Sequence, residues 1–191
     1  TLKWASSVPS DSCLSSPTVV YDPTLAKTVV YIGSSDDNVY CLDAANGAWI
    51  WNYSTGANCQ STAAYKNGRI FIGNQLSAGN PRTGAMYCLD ADTGTKLWNR
   101  TTNNHVMCAP AVTAAGVVYF GSNDGTVWAL NETDGSVIWL HNDTQGRARR
   151  CVVVADGVAY TCMNQIVVAI GTHVGLVPDV AITGATPMPP W

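Results

Sequence analysis

Charge is the scarcest property of this 191-residue chain, in which Asp, Glu, Lys and Arg make up 12%, about half of the ~25% usual for soluble domains. The ten Lys and Arg are outnumbered by thirteen Asp and Glu, and apart from Arg147, Arg149 and Arg150 the basic residues are scattered. No phosphate-tracking surface is visible, which argues against nucleic acid as a partner. Long apolar runs are missing as well. None approaches the ~18 residues of a membrane helix, although an apolar share of 47% is enough for a sizeable core. The seven cysteines include no Cys-x-x-Cys pair, which removes zinc knuckles and thioredoxin-like redox motifs and leaves disulfides or free core thiols. At Thr1 there is no initiator Met, charged leader or apolar h-region, so the expectation is a signal peptide already removed or an excised segment.

What the chain does have is amide and hydroxyl chemistry. Four N-x-[ST] sequons stand at Asn52, Asn99, Asn131 and Asn142, and with the cysteines they point to a secreted, glycosylated and disulfide-bonded protein.

The chain also repeats itself. Tyr40-Cys41-Leu42-Asp43, Tyr87-Cys88-Leu89-Asp90, Trp128-Ala129-Leu130-Asn131 and Val168-Ala169-Ile170-Gly171 fall at intervals of 47, 41 and 40 residues, a period typical of propellers. A β-rich run precedes each: Val29-Val30-Tyr31-Ile32-Gly33, Arg69-Ile70-Phe71-Ile72-Gly73, Val117-Val118-Tyr119-Phe120-Gly121 and Val158-Ala159-Tyr160-Thr161-Cys162. Between run and segment lie hairpin residues that tolerate positive φ, Asp36-Asp37-Asn38 and Asn123-Asp124-Gly125. The second repeat is longer, and residues 75–86 are expected to hold a seven-residue insertion as an exposed loop. After each segment come a turn and a tryptophan, Asp43 to Gly47 then Trp51, Asp90 to Gly94 then Trp98, Asn131 to Gly135 then Trp139.

This pattern resembles the pyrroloquinoline-quinone-like (PQQ-like) β-propeller repeat with its tryptophan-docking motif, over about residues 4–171. The resemblance implies an all-β propeller whose repeat-core residues are Trp4, Trp51, Trp98 and Trp139. The fourth copy departs from the pattern, with Gly171 in place of Asp and no following Trp, while Trp4 lies 47 residues before Trp51 without a blade of its own. Hence about four blades are expected, near 9–54, 57–101, 106–142 and 148–171, with a closing strand at 2–6 that completes the last blade. Half of an eight-bladed ring is the alternative. Residues 1–175 form the propeller domain on this reading, and 176–191 an extended arm or linker with a short strand at 180–183 and the ending Pro187-Met188-Pro189-Pro190-Trp191.

Enzymes of the resembled family hold a quinone and calcium with acidic and amide ligands and a disulfide between adjacent cysteines. Here no adjacent cysteine pair exists. The acids Asp36, Asp37, Asp43, Asp90, Asp92, Asp124 and Asp156 fall in turn positions, where capping is the structural role. His105, His141 and His173 share no repeat position and read as surface or loop residues. Ser34, Ser35 and Ser122 belong to no recognisable nucleophile arrangement. No catalytic residue, cofactor or metal is therefore expected.

The cysteine positions suggest blade-to-blade pairs Cys41-Cys59 and Cys88-Cys108, and a cross-hairpin pair Cys151-Cys162 about the Asp156-Gly157 turn. Cys13, taken to match Cys59 and Cys108 at the approach to a blade, is left as a buried free thiol or an intermolecular partner. Asn52, Asn99 and Asn142, on outermost strands, are expected to carry glycans. Asn131, the remaining sequon, replaces Asp43 and Asp90 and is expected to bond the following turn instead. Trp49 and Trp128 are the residues able to stack on sugar, ordinary packing being the alternative.

These observations point to an extracellular structural or interaction module without chemistry of its own, a subunit of a filament or matrix whose partners are other copies or matrix components. A carbohydrate-binding module is the alternative, and a fragment of a quinoprotein dehydrogenase a third reading.

Overall fold

The computed structural model describes residues 1–76, 82–142, 151–163 and 166–171. Expectations for the middle of the insertion, for Arg147, Arg149 and Arg150, for the start of the fourth repeat at 148–150, for His173 and for the arm at 176–191 lie outside the described residues.

Among the described residues, fifteen strands form four antiparallel sheets. The first is β1 (Thr18–Asp22), β2 (Lys27–Gly33), β3 (Asn38–Asp43) and β4 (Trp49–Ser54). The second is β5 (Ala64–Lys66), β6 (Arg69–Leu76), β7 (Thr83–Asp90) and β8 (Lys96–Thr102). The third is β9 (Ala111–Val112), β10 (Val117–Gly121), β11 (Thr126–Asn131) and β12 (Val137–Asn142). The fourth has three strands, β13 (Val153–Ala155), β14 (Val158–Met163) and β15 (Ile166–Gly171). The β-branched runs supply the strands, and turn residues able to take positive φ separate them. Asp37 sits at φ 70°, Gly125 at 93°, Asn67 and Gly68 at 49° and 72°, and Asp156 and Gly157 at 50° and 77°.

Strand alternation gives every sheet two apolar faces. Val29, Tyr31, Val39 and Cys41 pack against Ile70, Ile72 and Leu89 of the second sheet. Phe71, Met86 and Cys88 meet Val118, Phe120 and Leu130 of the third. Val117, Tyr119 and Ala129 meet Val152 and Ala159, with Val168 and Ile170, in the fourth repeat. A last cluster, Val30, Tyr40 and Leu42 with Val8 and Ile32, lies on the far face of the first sheet, with no sheet above it among the described residues.

Two expectations change here. Residues 2–6 form no strand and pair with none of the sheets, so the N-terminal segment does not complete the last blade of its own chain. The cause is visible at both ends: Trp4 is held on the first sheet, and among the described residues no apolar cluster joins the first sheet to the fourth. The insertion is not all loop either, because it lengthens the hairpin. The ladder runs on through Asn74↔Ala85, Gln75↔Gly84 and Leu76↔Thr83, helped by a bond of 2.7 Å from the Ala85 N–H to Asn74 Oδ1.

Candidate interaction surface

The joint between blades is built from one tryptophan and one turn. Trp4, Trp51 and Trp98 donate their indole N–H groups to the carbonyls of Ala44, Ala91 and Glu132 at 2.9, 2.9 and 3.0 Å. Each of these carbonyls lies in the turn of the following blade. The ring lies over that turn's glycine, where a Cβ would meet a ring carbon at 2.5 Å on Gly47, 2.6 Å on Gly94 and 2.7 Å on Gly135. Each glycine is also at positive φ, 70–73°, so the position excludes a side chain on two grounds. Inside its own blade the tryptophan meets an aromatic of the second strand: Tyr31–Trp51 at 5.8 Å, Phe71–Trp98 at 5.9 Å and Tyr119–Trp139 at 5.8 Å between centroids. Trp139 makes that contact, but its buried indole N–H has no acceptor among the described residues.

The acidic residues serve the turns. Asp43 Oδ1 accepts from the Ala45 N–H at 2.8 Å, Asp90 Oδ1 from the Asp92 and Thr93 N–H groups at 3.1 and 2.9 Å, and Asp124 Oδ1 from Thr126 at 2.9 Å. Asn131 does the same, accepting from Thr133 at 2.8 Å. Asp36 is a larger hub: it receives the Tyr40 hydroxyl at 2.7 Å and both the N–H and hydroxyl of Ser10 at 2.8 and 2.9 Å. Burial opposes its ionisation, but bonds from Tyr40, Ser10 and Ser34 outweigh that and hold the carboxyl well below the usual range. Burial and the bond to Asp36 push Tyr40 up to about 12. Among the described residues no three His, Cys, Asp or Glu side chains gather as metal ligands do. Asp43, Asp90 and Asp124 are engaged by turn backbone, and the described residues present no gathered set of acids that would hold the calcium of the family's enzymes. His141 is exposed on β12, whereas His105 lies in a loop yet is buried.

All seven cysteines are free thiols, so none of the three expected disulfides is formed. Cys41 and Cys59 share a cluster but have different neighbours, the first in mid-strand opposite Tyr31 and Trp51, the second against Gly33, bonded to Ala57 O at 3.4 Å and beside Thr55 at 3.2 Å. Cys88 lies near Arg69 and Glu132, while Cys108 Sγ bonds Gly121 O at 3.2 Å. Burial above all pushes Cys41, Cys59 and Cys88 up to about 12 and Cys108 to about 11, the behaviour of small core hydrophobes. The equivalence of Cys108 with Cys59 also fails. The N–H of Cys59 bonds Ser34 O as that of Val106 bonds Asn74 O, and Cys108 instead repeats Ser15, whose hydroxyl bonds Gly33 O. The register Val153↔Tyr160 would carry on to Cys151 opposite Cys162, but the ladder stops at Val153 and Cys151 is exposed on the side of Cys108. Cys13 is exposed, not buried.

Asn52, Asn99 and Asn142 are exposed on outermost strands. Trp49 is 58% exposed on β4. Trp128 is half-buried in the second-to-third sheet cluster and stacked on Phe120 at 6.1 Å and 2°, which is ordinary packing.

Among the described residues no sheet covers either end of the stack. On the first sheet, Trp4, Val8, Val19, Val30, Ile32 and Leu42 line a groove of about 410 Å³. On the outer face of the fourth, Val153, Tyr160 and Val167 are 62%, 41% and 73% exposed.

Four stacked antiparallel sheets, the first tied to the second and the second to the third by a tryptophan on the next turn, define an arc of a β-propeller built from PQQ-like repeats. The chain belongs to the family of the outer membrane protein assembly factor BamB, whose model matches residues 3–85 and 35–184. Among solved structures it resembles BamB from Moraxella catarrhalis at a TM-score of 0.71 and 19% identity, over 91% of this chain and 51% of that one. The chain thus spans about half the length of that relative. It resembles the computationally designed Ika4 protein at 0.72 and 13%, over 90% and 98% of the two chains. A quinohemoprotein alcohol dehydrogenase from Comamonas testosteroni matches at 0.63 and 16%, over 71% and 31%. No curated protein matches the chain.

Proposed function

We propose that this chain is an extracellular structural and interaction module, glycosylated and without catalysis of its own, whose partners are other copies of itself or matrix components. The observation that carries this reading is the pair of apolar faces at the two ends of the stack, uncovered among the described residues and of the kind that packs sheet against sheet inside it. Exposed sequons at Asn52, Asn99 and Asn142 support glycosylation and with it secretion. Light scattering on the purified native protein is expected to give a mass far above 20.2 kDa, and glycopeptide mass spectrometry to find glycans at those three asparagines and not at Asn131. A strictly monomeric protein that binds nothing would remove the reading.

A carbohydrate-binding role is the second reading, favoured by the exposed indole of Trp49. Glycan-array binding that disappears with Trp49→Ala and persists with Trp128→Phe would select it.

A further inference from the structure

We propose that residues 2–6 of one copy form the outermost strand of the fourth blade of a second copy, Trp4 closing over the second copy's Tyr160, so that copies join head to tail. This deepens the reading of the chain as a self-associating module and rests on it.

The geometry is that of two half-sites. In each complete blade an aromatic of the second strand packs on the tryptophan of the fourth strand. The fourth blade has the aromatic, Tyr160, at the same place in the repeat, but among the described residues its sheet ends at β15, and Tyr160 is 41% exposed. The N-terminal segment is the converse. Trp4 is docked on the Ala44 carbonyl and over Gly47 as Trp51 and Trp98 are docked on the turns of the following blades, yet its segment belongs to no sheet and Leu2 is 84% exposed. Among the described residues, one end has a docked segment outside any sheet and the other a sheet of three strands.

The registers agree. Cys41↔Trp51, Cys88↔Trp98 and Ala129↔Trp139 are opposed in the three complete blades. The equivalent of Cys41 on β15 is Ala169, which sets Trp4 opposite Ala169 and Ser6 opposite Val167, as Tyr53 stands opposite Val39. Pairing there fills an edge of β15 that has no strand partner among the described residues. It also lays Val153 and Val167 toward the groove on the first sheet, repeating an interface that the chain makes three times internally. A second copy is the occupant because the chain's own segment is fixed on its own first sheet, away from its own fourth. Such a contact is heterologous, and it propagates until a ring closes or a fibre forms.

Engineered cysteines test the pairing, in a background with Cys13, Cys151 and Cys162 changed to Ser and checked for unchanged melting. The four buried thiols, raised to about 11–12, stay unreactive at neutral pH. Mild oxidation of Ser6→Cys mixed with Val167→Cys is expected to give a covalent heterodimer, and the double variant a ladder of multimers on a non-reducing gel. Tyr160→Ala, still folded, is expected to weaken assembly at least tenfold. If light scattering shows assemblies but no cross-link forms, or the double variant closes within a monomer, the inference fails while the module reading survives. If the unmodified protein is a monomer throughout, both fail.

Discussion

At the scale of single residues, two kinds of glycine separate conformational strain from steric exclusion. Gly56 and Gly94 share a φ of +73°, but a Cβ on Gly56 meets nothing within 4 Å, whereas one on Gly94 meets the Trp51 ring at 2.6 Å. Gly56→Ala should therefore cost about 1 kcal/mol of backbone strain alone, and Gly94→Ala clearly more, by about 1–3 kcal/mol, because a docked indole has nowhere to move. Urea denaturation of the two variants checks this; equal losses would mean that the ring does not press on the turn. Asp36 yields a pH prediction. Its carboxyl titrates lower in the folded protein than in the unfolded chain, so its contribution is fully present above the unfolded value of about 3.9 and is lost as pH falls through the folded value. Asp36→Asn should lower stability near neutrality and flatten the acid limb below about pH 4. An acid limb as steep as before would show that other carboxylates carry it. The docking tryptophans and the turn acids were legible in the sequence because they recur at fixed offsets. The state of the cysteines was not, since spacing along the chain says which blade a thiol belongs to and not which neighbour its sulfur meets: Cys59 meets Ala57 O and Thr55, and Cys108 meets Gly121 O.

The element on which the arc depends is the turn from Asp or Asn to Gly after the third strand. It ends one blade's hairpin and presents a carbonyl to the tryptophan of the blade before. Asp90 anchors its turn with bonds to the N–H groups of Asp92 and Thr93 and to the Thr93 hydroxyl, and Ala91 O then receives Trp51 and the Tyr31 hydroxyl. Asp90→Ala is expected to cost about 1–2 kcal/mol and Trp51→Ala about 3–5 kcal/mol. Since both act on one carbonyl, a double-mutant cycle should show coupling of about 0.5–1.5 kcal/mol. Strict additivity would mean that the turn holds its shape without Asp90 and that the tryptophan docks regardless. Reading the turns from sequence succeeded because their chemistry is local. A bulge in the same place in three blades, between Cys41 and Leu42, Cys88 and Leu89, and Ala129 and Leu130, left no sign in the residue pattern. It arises when the fourth strand takes up an extra residue so that the tryptophan points at the next blade.

For the whole molecule, periodicity gives the number of repeats but is silent on closure, because every internal joint looks alike and only the two end faces differ. The sequence therefore allowed four blades closed on themselves or half of a larger ring, and the structure leaves both end faces uncovered among the described residues. Those faces are apolar, and the chain has little charge with which to build an interface: 12% charged residues, and among the described residues the ion pairs Lys27–Asp43 and Lys66–Glu132, both within the chain. Assembly through such faces should follow the hydrophobic effect, which weakens on cooling, and should ignore the screening that separates charged surfaces. The mass by light scattering is thus expected to fall between about 37 and 4 °C and to stay nearly constant from about 50 to 500 mM salt. The opposite pattern, dissociation by salt at constant temperature and no response to cold, would assign the contact to charged groups and leave the exposed Val153, Tyr160 and Val167 without a part in it.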